Sequence, residues 1–210
     1  MQFILLTTAC ILLGATFMSC KDKTIETNQN HNITAKNIAA LSSVRNGDFI
    51  FRCGKDEVSQ LFCRLNKSNQ QYSHCGVAIS TDSGLYVCHI IGGTDNPDGK
   101  IRLEKIQTFI DAVKNKRWAI VRYQLSAKEQ SLFLMQLEYF RINNVSFDTQ
   151  FDLATDDKMY CSELLYKSLI IATKTPGFIE FTQTLSGKKY IAIDNLFQNK
   201  HCETICEIAY

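Results

Sequence analysis

The sequence predicts an α+β domain, an antiparallel sheet with helices packed to one side of it. Three observations carry this reading. Short β-rich runs recur between residues 48 and 124, and the turn Thr81-Asp82-Ser83-Gly84 joins two of them as a hairpin. Apolar residues then repeat at helical spacing from Leu132 to Phe140, behind a capping box in which Glu129 follows Ser126 by three positions. A second apolar helix, residues 160–172, follows a polar loop at 143–158. No internal repeat or low-complexity tract interrupts this order.

In chain order, residues 33–41 suit a short helix, and the Asn46-Gly47 turn signal leads into a strand at 48–53. Val58, Leu61, Phe62 and Leu65 recur at helical spacing behind Asp56 as N-cap. Strands at 73–80 and 85–91 form the hairpin, and the turn-rich stretch 92–99 ends the meander. Residues 103–113 read as a helix and 118–124 as a strand. Beyond Pro176-Gly177 the pattern weakens to short strands at 190–193 and 204–208.

Of the 210 residues 45% are hydrophobic, enough for one core and too many for a disordered chain. A net charge of +2, with no basic cluster interleaved by aromatics, gives no electrostatic support to a nucleic-acid partner. Residues 3–18 form an apolar run that ends in Ser19-Cys20 and gives way to Lys21-Asp22-Lys23. This resembles a bacterial lipoprotein signal, in which the cysteine thiol carries the lipid. The expected organisation is a leader at 1–19, a lipidated Cys20 and polar tether through 42, and a domain at 43–210. The place is the cell envelope, on the periplasmic or surface side. Setting Cys10 and Cys20 aside leaves seven cysteines, an odd number, so in an oxidising compartment at least one stays free or pairs between chains. Cys202 and Cys206 have no partner pair at zinc-ribbon spacing, so neither a metal nor a cofactor is expected.

Cys161 falls at the start of the helix at 160–172, where unpaired N–H groups and the helix dipole favour an anion. A thiolate there has a lowered pKa, and the same N–H groups can hold an oxyanion. A buried cysteine in a core helix is the commoner case, so position alone does not assign it. His31 lies in the tether and His201 in a polar turn, whereas His74 and His89 stand on the two hairpin strands, where they suit a base and its orienter.

The segments Gly47-Asp48-Phe49-Ile50-Phe51-Arg52, Ser73-His74-Cys75-Gly76-Val77 and Tyr160-Cys161-Ser162-Glu163-Leu164, in that order, resemble the permuted NlpC-type cysteine hydrolases of the YiiX and YebB kind. The lecithin:retinol acyltransferase-like enzymes share their plan. The resemblance covers about residues 45–200 and implies a permuted papain-like fold, with the histidine on the sheet and the cysteine later, at a helix N-terminus. It implies Cys161 as nucleophile, His74 as base and His89 as third residue, where many relatives place an acid. Tyr160, Asp148 and Asp152 are the substrate-binding candidates, and Glu163 has a structural role. Alternation along the strand adds that Cys75 faces away from the site and that His89 faces the same side as His74. The implied activity is hydrolysis, through an acyl-enzyme, of an amide such as a peptide or cell-wall fragment, or of a lipid-like ester or amide. The alternatives are an acyltransferase using the same acyl-enzyme and a binding lipoprotein without turnover.

Replacing Cys20 with Ser is expected to release the protein from membranes and abolish fatty-acid labelling. A Cys20→Ser protein that remains membrane-bound and labelled would refute the lipid anchor.

Overall fold

The computed structural model describes residues 35–94 and 96–210, and the unit considered below is Lys36–Tyr210. The expected leader, Cys20 and the tether through residue 34 lie outside the described residues. The elements run α1 (residues 35–43), β1 (Phe49–Gly54), α2 (Glu57–Arg64), β2 (His74–Thr81), β3 (Gly84–His89), β4 (Arg102–Lys105), α3 (Ile106–Phe109), β5 (Asn115–Tyr123) and α4 (Ala127–Ile142). There follow β6 (Ser146–Phe147), β7 (Lys158–Met159), α5 (Cys161–Thr173), β8 (Thr182–Gln183), β9 (Lys189–Tyr190), α6 (Ile193–Phe197) and β10 (Cys202–Ala209).

Six strands form one sheet in the order β10-β5-β1-β2-β3-β4, with every pairing antiparallel. The interior strand β1 is apolar on both faces, as a strand covered on both sides must be. Phe49 and Phe51 point into a core shared with Phe133 and Leu137 of α4 and Leu164, Leu165 and Leu169 of α5. Ile50 points the other way, into a smaller core with Ala40 of α1, Ile106 and Phe109 of α3, and Trp118. Helices therefore cover both faces rather than one, because the strands carry apolar side chains on both.

The expected helix at 103–113 is instead strand β4 followed by the short α3. Leu103, Ile106 and Ile110 carry a helical period, but the free edge of β3 offers the backbone of Arg102–Lys105 a ladder from Tyr86↔Lys105 to His89↔Arg102. Ladder bonds overrode the local pattern, and Val113, read as the far end of that stripe, is exposed. Likewise β9 ends at Tyr190, and Ile193, read as part of a strand, opens α6. The capping box at Ser126 and Glu129 forms as expected, as does the Asp56 cap of α2.

Gly47-Asp48, singled out as a motif, proves to be a clamp. Asp48 is buried, and its two oxygens accept from Arg122 Nε at 2.8 Å and Nη2 at 2.7 Å, while the Arg45 N–H adds a third bond. Asp48→Ala is expected to cost about 2–3 kcal/mol, the scale of hydrogen bonds to a charged group. A urea unfolding midpoint equal to that of the parent would exclude a stabilising role for the clamp.

Candidate active site

Strand β2 keeps its register with β1 to its first residue, Arg52↔His74, but its ladder with β3 extends only to Val77↔Cys88. The N–H groups of an antiparallel strand alternate between its neighbours. The N–H of Ala78 goes to Asp48 on the β1 side, so that of Cys75 points to the β3 edge, beyond the end of the ladder. Helix α5 packs on this part of β2 with Cys161 as its first residue. The Cys161 thiol is lowered from the ordinary cysteine value by hydrogen bonding from the Cys75 thiol first, against the opposing effect of burial. The N–H groups of Cys75, Ser162 and Cys161 add to that lowering. Strand end and helix N-terminus thus share one sulfur, as sequence reasoning anticipated for the helix alone. Cys75 does not face away from this thiol as strand alternation suggested. The helix bearing Cys161 lies on the Cys75 face, and burial keeps the Cys75 thiol protonated well above its usual range.

On the opposite face, His74 Nε2 and His89 Nδ1 are 2.9 Å apart, with both rings buried against Phe109. Gly76 makes this approach possible, since a Cβ there would lie 2.8 Å from Cys88 O and 2.9 Å from His89 Cβ. Burial depresses the basicity of both imidazoles. The Arg52 and Arg102 charges act in the same direction on both, whereas Glu104 opposes it at His89. Both rings are therefore neutral at pH 7, as a general base requires.

The two faces meet at a cavity of about 770 Å³ at the open end of β2, bordered by both His74 and Cys161. No hydrogen bond joins these two among the described residues. Its walls are largely apolar: Phe62 of α2, Phe147, Phe151, Tyr160, Tyr190 and Ile191. Tyr160 lines it with its ring while its hydroxyl accepts the Ile191 N–H at 2.8 Å. The carboxylates of Asp148 and Asp152 are turned to backbone instead. Asp148 accepts from the N–H groups of Gln150 and Asp152, and Asp152 from that of Ala154. From that segment it is Phe147 and Phe151 that reach the cavity, a consequence of the turn that Asp148 holds. Glu163, in the first turn of α5, is buried, accepting the Tyr160 N–H and pairing with Lys167 at 3.0 Å.

A family model described as permuted papain-like amidase enzyme, YaeF/YiiX, C92 family, matches residues 43–192. The chain belongs to this family. It is accordingly a cysteine hydrolase of the amidase type, and its fold is the permuted papain-like one. The crystal structure of metalloprotein yiiX from Escherichia coli O157:H7 superposes with a TM-score of 0.63 at 17% identity, over 79% of this chain and 98% of that one. No curated protein matches. Among the described residues of this amidase, no group of three or more His, Cys, Asp and Glu side chains could hold a metal ion. No helix among them is long and apolar enough to cross a membrane.

Depressed imidazoles make the amidase's stability depend on pH. Below about pH 6.5 the unfolded chain binds protons at His74 and His89 that the native state refuses, so their contribution is full above that value and lost as pH falls. Glu163, raised to about 7 by burial, works in the opposite sense. The free energy of unfolding of the parent is expected to fall more steeply from pH 7 to 5 than that of a His74→Gln/His89→Gln variant, by denaturant titration. Equal slopes would mean that the imidazoles are not depressed.

Proposed function

We propose that Cys161 is the nucleophile, His74 the base and His89 its orienter in an exported, lipid-anchored amidase whose substrate carries an apolar acyl group. What supports the assignment is the single cavity bordered by the lowered thiol and the neutral imidazole. Since His74 Nε2 is engaged by His89, Nδ1 is the nitrogen left to take the thiol proton. Catalytic hydrogen bonds are often loose without substrate and tighten when it binds. Sulfur attacks the amide carbon, the oxyanion is held by N–H groups at the α5 N-terminus, and His74 passes the proton to the departing amine. Water then attacks the thioester, releasing the acid and restoring the thiol. Tyr160, Phe147 and Phe151 contact the acyl group, while Asp148 and Asp152 shape the turn that presents the two phenylalanines.

The apolar walls favour a lipid-like amide over a hydrophilic cell-wall fragment, because each methylene buried from water contributes about 0.8 kcal/mol. With acetyl, octanoyl and dodecanoyl amides of an aminocoumarin, kcat/KM is expected to rise at least about tenfold with chain length. Cys161→Ala and His74→Ala are each expected to remove turnover. Turnover retained by Cys161→Ala would overturn the assignment, and a flat chain-length series would overturn the substrate class alone. Added amine nucleophiles intercepting the acyl group would redirect the reading to an acyltransferase.

A further inference from the structure

Three of the charged or titratable groups around the histidine pair come from strands β1 and β4: Arg52 facing His74, and Arg102 and Glu104 facing His89. Arg102 lies directly across the ladder from His89, and Glu104, two residues on, shares its face as the diagonal neighbour. Both reach the same atom. Arg102 Nε–H donates to His89 Nε2 at 3.3 Å, and Glu104 Oε2 lies 3.3 Å from the same nitrogen as an ion-pair contact. That carboxylate oxygen is buried and has no well-aligned hydrogen-bond partner. Arg102 Nη2 stands 3.8 Å from the other oxygen, Oε1.

The two neighbours ask for opposite tautomers. Donation from Arg102 needs a lone pair on His89 Nε2, which puts the His89 proton on Nδ1. That proton then points at His74 Nε2, and the proton of a neutral His74 is left on Nδ1, the nitrogen required as base. Acceptance by Glu104 needs a proton on His89 Nε2. Nδ1 is then free to accept from His74 Nε2–H, and His74 Nδ1 keeps its lone pair.

We propose that Glu104 is a positioning residue that selects the Nε2–H tautomer of His89 and thereby keeps His74 Nδ1 open for the thiol proton, with Arg102 as its competitor. This rests on the assignment of Cys161 and His74 above. Glu104 supplies the negative charge that a third-position histidine lacks, one strand further out. The carboxyl is itself held below the usual glutamate range: burial raises it, and contact with His89 with the charges of Arg102 and Arg52 more than offsets that.

Imidazole nitrogen NMR of the ¹⁵N-histidine-labelled full chain reads the tautomers without turnover. The expected spectrum has Nε2 protonated on both His74 and His89, and Glu104→Gln is expected to move the His89 proton to Nδ1. With the dodecanoyl aminocoumarin amide, Glu104→Gln is expected to lower kcat by about a hundred- to ten-thousand-fold at unchanged KM, the scale of a catalytic histidine held in the wrong tautomer. Its acid limb should move to lower pH, because the imidazoles lose an anionic neighbour. Glu104→Asp should recover part of kcat, and adding Arg102→Gln to Glu104→Gln should recover part as well. A His89 proton found on Nδ1 in the parent chain would overturn the proposal, as would Glu104→Gln with parental kcat and pH profile. If instead Cys161→Ala retains turnover, it is the underlying assignment that fails.

Discussion

Three residues at the start of β2, His74 to Gly76, are paired along one edge only, and the rest of the site depends on that. Because the ladder with β3 stops at Val77↔Cys88, the strand end is open, and a helix terminus, two apolar loops and a cavity gather around it. A fully paired β2 would spend the Cys75 N–H on β3 and leave no amide there for the Cys161 sulfur. Gly76 supplies the complementary condition. It brings β3 close enough for the two imidazoles to meet just before the strands part. One glycine and one short ladder thus set both halves of the constellation.

The electrostatics of the two halves differ for a simple reason. Burial disfavours charge in both, raising a thiol and lowering an imidazole. At Cys161 the opposing hydrogen bonds outweigh burial, and the thiol comes down. At His74 the neighbouring charges are cationic and add to burial, so the ring stays neutral. The outcome is a thiol easier to ionise than an ordinary cysteine and an imidazole that is uncharged at neutral pH, both bordering one cavity.

Much of this was legible in the chain. Asp56, Ser126 and the Asn46-Gly47 turn announce their elements through local chemistry, and β1, β2, β3, α4 and α5 stand close to where periodicity puts them. Cys161 opens its helix as expected, and His89 and His74 share a face. What local pattern could not deliver was the edge of the sheet. Leu103–Lys105 is read as the start of a helix, yet a free strand edge decided the matter. That misreading concealed Glu104 and its neighbour Arg102, for a helix opening at Leu103 would not bring them into register with β3. The role of Cys75 was hidden differently: alternation says which way a side chain points, but not which face a helix arriving from residue 161 will choose.

The sulfur and the imidazoles sit on the sheet and at the mouth of α5, elements fixed by the two cores. Apart from Tyr160, the apolar cavity walls come from elsewhere: α2, the loop after β3, the turn that carries Phe147 and Phe151, and the segment from Tyr190 to Ile193. These stretches are far apart in the chain and contribute few of the fully buried side chains. Most of the cavity wall can therefore be substituted without touching the elements that carry Cys161, His74 and His89. Under the proposed assignment, a directed library confined to those four stretches would alter the accepted acyl group while leaving Cys161 and the imidazoles in place.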